Sequence, residues 1–161
     1  MKKIEIYSHI NRKCIVLPNG DKYDSRLELY DDEGKLVFET NNVNVDSSNN
    51  YNYKVELKNG EYAGIVGLHR GEYPAIFVFK KDGLEKVNSI SDFSKLYNLR
   101  ILESLYSNPN HNGNTIVIGV NIHKGGSKWD WSAGCITIYK DDYENFIKYF
   151  KMNEKCIVNK R

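Results

Sequence analysis

Short apolar segments of strand length, separated by turn sequences, constrain the fold of this chain more than any other feature. Such segments recur through the first third of the sequence, at Ile4 and Ile6, 14–17, Leu27 and Leu29, and 36–38. The intervening sequences PNGDKY (18–23) and DDEGK (31–35) are typical of hairpin turns. Many short strands with turns at their ends predict a mainly β fold.

The rest of the chain adds further strands and the loops between them. Apolar residues alternate or cluster at strand length in four further segments, 53–57, 74–80, 115–123 and 135–139. Polar or glycine-rich stretches predict loops at 41–52, at 108–114 (NPNHNGN) and at 124–134 (KGGSKWDWSAG).

Helical spacing appears twice in the second half. Ser91 is a candidate cap for a first helix, whose apolar positions would be Phe93, Leu96, Tyr97, Ile101 and Leu105. A second, amphipathic helix is predicted near the C-terminus from Tyr143, Phe146, Ile147 and Phe150, with Asp141 and Glu144 as a D-x-x-E start in which Asp141 is the cap. The sequence therefore predicts a β-rich α+β fold in a single domain spanning 1–161.

Composition excludes several classes of protein. A chain of 161 residues with 40% hydrophobic residues and a mean hydropathy of −0.59 has the composition of an ordinary globular domain. A net charge of +2 does not suit an electrostatic nucleic-acid binder. No apolar run reaches the roughly 18–20 residues of a membrane span, so membrane insertion is not expected. The N-terminal sequence lacks the apolar core of a signal peptide, so we expect synthesis in the cytoplasm.

The three cysteines predict neither a disulfide framework nor a metal site. Cys14, Cys135 and Cys156 are far apart in sequence, and no CxxC or histidine-rich metal spacing accompanies them. Cys14 and Cys156 lie in apolar runs, which favours buried, unreactive thiols. We expect no metal and no cofactor.

A histidine and a cysteine that are 12 residues apart form the one constellation with obvious chemistry. His123 ends one predicted strand and Cys135 begins the next, and neighbouring strand ends lie about 5 Å apart. An imidazole at that distance can take the proton of a thiol. The small residues of Ser132-Ala133-Gly134 would leave the N–H groups of Gly134 and Cys135 free for an oxyanion. From spacing alone, a buried structural thiol beside a loop histidine is the favoured interpretation, and catalysis is the alternative.

The same segments resemble a known active-site signature. NIHKGG and SAGCITI are similar to the catalytic motif of the YkuD-type L,D-transpeptidase superfamily, and most of all to its small phage- and effector-associated relatives with an IHxGG…SAGC motif. The resemblance covers residues 115–139 as the catalytic motif, and it implies a β-sandwich or barrel with one or two helices. It implies that Cys135 is the nucleophile and His123 its base, with Gly134 in the oxyanion loop and Ser132 shaping that loop.

The reaction that this resemblance implies is acyl transfer on peptidoglycan stem peptides. Cys135 would form a thioacyl-enzyme, which an amine resolves by transpeptidation or water resolves as an L,D-carboxypeptidase or endopeptidase. A phage lysis protein or a delivered toxin, acting as a monomer at the cell wall or in the periplasm, would suit so small a chain. A catalytically idle module that binds cell-wall peptide or a protein is the alternative. A papain-like peptidase is disfavoured, because its cysteine precedes its histidine.

Further residues are candidates for substrate binding: Gly125, Gly126, Trp129, Trp131, Ala133 and Arg70. The two tryptophans would form an aromatic wall or simply anchor the loop, and the Arg70 guanidinium suits a peptide carboxylate. His69 and Tyr73 would line the same cleft or belong to a turn. Asp130 is interpreted as a solvated loop residue, and His9 and His111 as surface residues. An activated Cys135 is expected to be alkylated well below the ordinary thiol pKa of about 8.5.

Overall fold

A computed structural model of the protein describes the backbone of residues 1–108 and 111–161, and the side chains of residues 1–105 and 116–161. The first strands along the chain are β1 (Lys2–Tyr7), β2 (Ile15–Val16), β3 (Lys22–Tyr23), β4 (Ser25–Tyr30), β5 (Leu36–Asn44), β6 (Lys54–Leu57), β7 (Gly60–His69) and β8 (Tyr73–Lys80). The later strands are β9 (Ile101–Asn108), β10 (His111–Ile118), β11 (Asn121–Gly125), β12 (Ile136–Tyr139) and β13 (Lys155–Lys160). The helices are α1 (Ile90–Lys95) and α2 (Lys140–Ile147), with 3-10 turns at Lys81–Gly83 and Tyr97–Arg100.

Eight strands close into a barrel in the order β1-β13-β7-β8-β11-β12-β5-β4. Two neighbouring pairs, β1 with β13 and β11 with β12, are parallel, and the other pairs are antiparallel. Closure pairs every barrel strand on both sides, so the barrel leaves no unpaired edge. Strands β10, β9 and β6 form a separate three-stranded sheet, and β2 pairs with β3. The predicted β-rich α+β fold is confirmed.

The barrel interior is filled by aliphatic side chains and closed by α2. Ile4, Leu29 and Ile76 are among its fully buried residues. The buried face of α2 consists of Tyr143, Phe146 and Ile147, at the i, i+3 and i+4 spacing that the sequence predicts. Because α2 contacts both β11 and β12, it fastens the two strands that carry the candidate site. None of the helices in the described ranges is long and apolar enough to cross a bilayer.

The predicted helix from Ser91 to Leu105 is wrong over most of its length. Helix α1 spans only six residues, and its cap is Ser89, whose hydroxyl accepts a hydrogen bond from the Asp92 N–H. The segment from Ile101 onward forms β9, which pairs with β10 on one side and β6 on the other. Pairing on both sides supplies backbone hydrogen bonds that the apolar spacing of the segment does not reveal.

The predicted strand 115–123 is interrupted by a turn. Gly119, with φ +77°, separates β10 in the small sheet from β11 in the barrel. Ile116 and Ile118 are consequently exposed, whereas Val120 and Ile122 are buried.

Other predicted boundaries also shift. Strand β5 extends to Asn44 into the predicted loop 41–52, and β13 is a strand that the sequence analysis did not identify. The predicted loop 108–114 is largely paired between β9 and β10, and its residues 109–110 lie outside the described part of the chain. Asp141 lies within the first turn of α2 and is not its cap, which is Tyr139.

Packing at Gly64 provides a test of the barrel. A Cβ on Gly64, in β7, would lie 2.6 Å from Ile76 Cγ2 and 2.9 Å from Cys156 Sγ. We predict that Gly64→Ala lowers the free energy of unfolding by about 1–3 kcal/mol through overpacking. Gly60→Ala in the same strand is the control, because its Cβ would meet only ordinary contacts, the nearest at 3.5 Å. Urea denaturation measures the free energy of unfolding of both variants. Equal losses of that free energy for Gly64→Ala and Gly60→Ala would contradict the packing described here.

Candidate active site

Parallel pairing of β11 with β12 brings the two candidate catalytic residues together. The segment that joins these strands, residues 126–135, is called the nucleophile loop here. Because the strands run in the same direction, this loop must return along β11 before β12 begins. The register pairs His123 with Thr137, so Cys135 lies beside Asn121 at the start of β11. The Asn121 N–H donates to Cys135 Sγ at 3.3 Å.

The His123 imidazole is buried and has a defined tautomer. Its Nδ1 lies 2.9 Å from the Lys124 carbonyl oxygen, and since a carbonyl only accepts, Nδ1 carries the proton. Nε2 therefore has the free lone pair of a base. Burial lowers the pKa of His123 to about 4, the Lys124 carbonyl offsets part of that shift, and the charges of His69 and Arg70 add to it.

The Cys135 thiol is neutral in this environment. Burial raises the pKa of Cys135 above its ordinary value, although the Asn121 N–H and the charge of Arg70 oppose the shift. A lowered histidine pKa and a raised cysteine pKa both favour the thiol and the neutral imidazole over an ion pair. In the free protein, Cys135 is therefore expected to react as an ordinary or weakly acidic thiol.

The Ser132 hydroxyl makes two hydrogen bonds within the nucleophile loop, the loop that the resemblance implies it shapes. Its hydroxyl donates to the Cys135 carbonyl oxygen at 2.7 Å and accepts the Gly134 N–H at 3.1 Å. The Gly134 N–H is thus already engaged, which corrects the prediction that it is free for an oxyanion. Among the described residues, none accepts a hydrogen bond from the Cys135 N–H, which leaves this group as the available donor. Gly134 itself, with φ +137°, has a backbone conformation that favours glycine.

One cleft of about 420 Å³ brings most of the predicted site residues together. Its lining includes Cys135, His123, Arg70, Trp129, Trp131 and Ala133. His69 and Tyr73, for which the sequence left two interpretations open, also line it. Tyr51 and Glu72 line the cleft as well, and sequence reasoning missed both. Glu72 follows Arg70 in the β7–β8 turn, so recognition of that hairpin would have identified it.

The tryptophans line the cleft and anchor the loop at once. Trp129 packs edge-on against Tyr51, with ring centroids 6.4 Å apart. The Trp131 indole packs over Gly126, where a Cβ would approach its ring to 2.6 Å. Trp131 has φ +63° and is 45% exposed, so its indole stands at the rim of the cleft.

Gly125 and Gly126, which were predicted to bind substrate, have packing roles. Both are buried, and neither belongs to the described lining of the cleft. A Cβ on Gly125 would collide with the Tyr23 hydroxyl. That hydroxyl donates to the Gly126 carbonyl oxygen at 2.7 Å. Close approach of Tyr23 is the reason that glycine is needed there.

Asp130 is fully buried, so its interpretation as a solvated loop residue is wrong. Its carboxyl group accepts hydrogen bonds from Asn44 Nδ2 and from the Ser132 N–H, and its own N–H donates to Asp21 at 3.0 Å. Burial raises the pKa of Asp130 to about 7, the Ser132 N–H opposes this, and the charges of Asp21 and Asp46 add to it.

The neighbouring Asp21 shifts in the opposite direction. Burial alone would raise the pKa of Asp21, but hydrogen bonds lower it below its ordinary value. The donors are the Asn49 N–H, Asn19 Nδ2, the Asp130 N–H and the Ser48 hydroxyl. Asp21 thus ionises at lower pH than Asp130, and together the two residues fasten the nucleophile loop to the barrel.

A separate group of side chains has the composition of a metal site. Ligand atoms of His9, Asp46 and Glu56 lie within 4.8 Å of one another. In this structure the His9 ring nitrogens contact Asp24 and Glu56 at 2.9 and 2.6 Å, and Glu56 also pairs with buried Lys160. His9 and Glu56 are thus ion-paired, and none of the three residues belongs to the described lining of the cleft.

The remaining histidine and cysteine predictions have mixed outcomes. Cys156 is buried, as expected, whereas Cys14 is partly exposed. His9 is exposed but bound to two carboxylates, and the side chain of His111 lies outside the described part of the chain.

Comparisons of this chain with protein-family models, with curated proteins and with solved structures found no match.

The pKa of Asp130 predicts a pH-dependent stability. A carboxyl whose pKa is raised on folding binds its proton more tightly in the native state, so the free energy of unfolding falls as pH rises from about 4 to about 7. Asp130→Asn, which mimics the protonated form, is expected to flatten that part of the profile. Urea denaturation between pH 4 and 8 measures it, with Asp141→Asn on the exposed face of α2 as the control. A profile for Asp130→Asn that matches the wild type would exclude this role.

Proposed function

We propose that this chain is a cysteine acyl transferase of the L,D-transpeptidase type that acts on peptidoglycan stem peptides. The observation that carries the proposal is that Cys135 and His123 line one cleft, with the proton of His123 held on Nδ1 and Nε2 left as the base. The resemblance of NIHKGG and SAGCITI to the motif of that superfamily supplies the substrate class. The proposal requires that the protein reach the cell wall.

The first half-reaction would form a thioester. His123 Nε2 takes the proton of the Cys135 thiol as Sγ attacks an amide carbonyl carbon of the stem peptide. The Cys135 N–H donates to the oxyanion that develops on the carbonyl oxygen. Nε2 then returns its proton to the departing amine of the terminal D-residue, the C–N bond breaks, and a thioacyl-enzyme remains.

The second half-reaction would determine whether the enzyme is a transferase or a hydrolase. An amine that attacks the thioester carbonyl gives up a proton to His123 and forms a new amide, and the thiol of Cys135 is regenerated. Water in the same position gives a free carboxylate instead, which is the L,D-carboxypeptidase or endopeptidase reaction. Both outcomes use the same two residues, so the identity of the attacking group alone separates them.

Intact-protein mass spectrometry tests the proposed function. Mixed with tetrapeptide muropeptides, the wild type is expected to gain the mass of the acyl donor without its terminal D-residue, or to release product that lacks this residue. Cys135→Ala is expected to give neither. His123→Ala is expected to lower turnover by about 10²–10⁴-fold, the usual contribution of a general base.

The controls for this experiment are the thermal midpoints of both variants, which should stay near that of the wild type. Turnover by Cys135→Ala would refute the nucleophile. The absence of both adduct and product for the wild type, with muropeptide binding retained, would favour the idle binding module instead.

Arg70 is predicted to recognise a carboxylate of the stem peptide. It lies in the β7–β8 turn, its side chain lines the cleft, and its φ of +50° fixes an unusual turn geometry. Arg70→Ala is expected to raise KM about tenfold, the equivalent of about 1.4 kcal/mol of binding, with a smaller effect on kcat. Arg70→Lys keeps the charge but loses the planar fork, so an intermediate KM is expected. An unchanged KM for Arg70→Ala would remove Arg70 from the substrate site.

A further inference from the structure

We propose that His69 is a positioning residue for His123, whose imidazole it holds in the catalytic orientation by face-to-face stacking. The inference rests on the proposed function, because it assigns His69 a part in the chemistry of Cys135 and His123. It concerns a residue from a different hairpin, which the catalytic motif at 115–139 does not include.

The two imidazoles lie almost parallel. Their ring centroids are 4.3 Å apart, and the planes differ by 20°. His69 is the last residue of β7 and is paired across the hairpin with Tyr73, whose ring centroid is 5.3 Å away. The β7–β8 hairpin thus places the His69 ring against one face of the His123 ring, and the strand register of the barrel fixes the position of His69.

Asn121 connects His69 to the nucleophile. Its side-chain Nδ2 donates to His69 Nδ1 at 3.1 Å, and its backbone N–H donates to Cys135 Sγ at 3.3 Å. Asn121 is only 7% exposed, and both hydrogen bonds are partly buried, which strengthens them relative to exposed ones. The orientation of the His69 ring is therefore set by the same residue that contacts the sulfur.

Stacking matters because His123 acts through one nitrogen only. The hydrogen bond from Nδ1 to the Lys124 carbonyl oxygen restrains the edge of the His123 ring, and His69 covers one face of the ring. Without that cover, the ring would gain freedom to rotate and water would reach it. Rotation of the His123 ring would break the hydrogen bond from Nδ1 to the Lys124 carbonyl and would turn Nε2 away from its position as a base. A displacement of a catalytic group by about 1 Å can lower the rate about 10²-fold.

The charged and titratable groups that face this pair come from several elements: Arg70 and Glu72 in the β7–β8 turn, Tyr73 in β8, Lys124 in β11 and Cys135 before β12. Burial lowers the pKa of His69 as well, so both rings are neutral at pH 7 and no repulsion opposes the stack.

Nitrogen NMR of the imidazoles tests the proposal without any substrate. Two variants separate stacking from titration, since His69→Phe keeps an aromatic face and His69→Ala removes it. In the wild type and in His69→Phe, His123 is expected to stay in the Nδ1–H tautomer and to titrate well below the ordinary histidine pKa of about 6.5. In His69→Ala, we expect a mixture of tautomers and a titration that moves toward that value. A His123 spectrum in His69→Ala that matches the wild type would overturn the proposal.

Kinetics with muropeptides supply the second readout. His69→Ala is expected to lower kcat by about 10²-fold with little change in KM, and His69→Phe to recover most of that loss. Glu33→Gln, on the exposed β4–β5 turn, is the control that leaves kcat unchanged. An increase in KM with kcat unchanged would place His69 in substrate binding and overturn the positioning role. If no variant turns over muropeptide, the proposed function fails, and the NMR result still decides whether His69 holds His123.

Discussion

The parallel pairing of β11 with β12 is the constraint on which the site depends. An antiparallel pair could be joined by a tight hairpin, whereas this pair needs a loop that returns along the strand. That loop carries the tryptophans to the mouth of the cleft and places Cys135 beside Asn121, two residues before the partner of His123. Helix α2 follows β12 directly and packs on both strands, so the barrel core and the site are held by the same contacts.

Desolvation is the second physical effect that shapes the site, because it shifts the pKa values of its titratable groups. Burial favours a neutral His123 and a neutral Cys135, and it raises the pKa of Asp130 beside an ionised Asp21. Hydrogen bonds offset the cost of desolvating these groups, as the Lys124 carbonyl does for His123. The cleft is thus lined by a neutral imidazole and a neutral thiol.

Local signals in the sequence were sufficient for the parts of the fold that depend on local structure. The apolar spacing of Tyr143, Phe146 and Ile147 predicted α2, and the glycine-rich segment after β11 predicted the loop that bears Trp129 and Trp131. His123 and Cys135 were identified as candidates by their spacing together with the resemblance of NIHKGG and SAGCITI to a known motif, and both residues line the cleft.

Features that depend on distant partners could not be predicted in this way. Strand β13 is stabilised by β1 and β7, which lie far from it in sequence, and β9 pairs with the distant β6 as well as with its neighbour β10. The buried state of Asp130 follows from Asp21 and Asn44, and the packing role of Gly125 follows from Tyr23. Nothing local to a Trp-Asp-Trp sequence distinguishes a solvated carboxylate from a buried one.

The pH dependence of Cys135 alkylation shows whether the free protein holds a neutral thiol and a neutral imidazole in this cleft. Iodoacetamide is added to the free protein across pH 5 to 11, and peptide mapping quantifies the adduct on Cys135 alone. We predict a single inflection above the ordinary thiol pKa of about 8.5. An inflection well below that value, abolished by His123→Ala, would show a preformed thiolate–imidazolium pair. That result would contradict the neutral state of Cys135 and His123 described here.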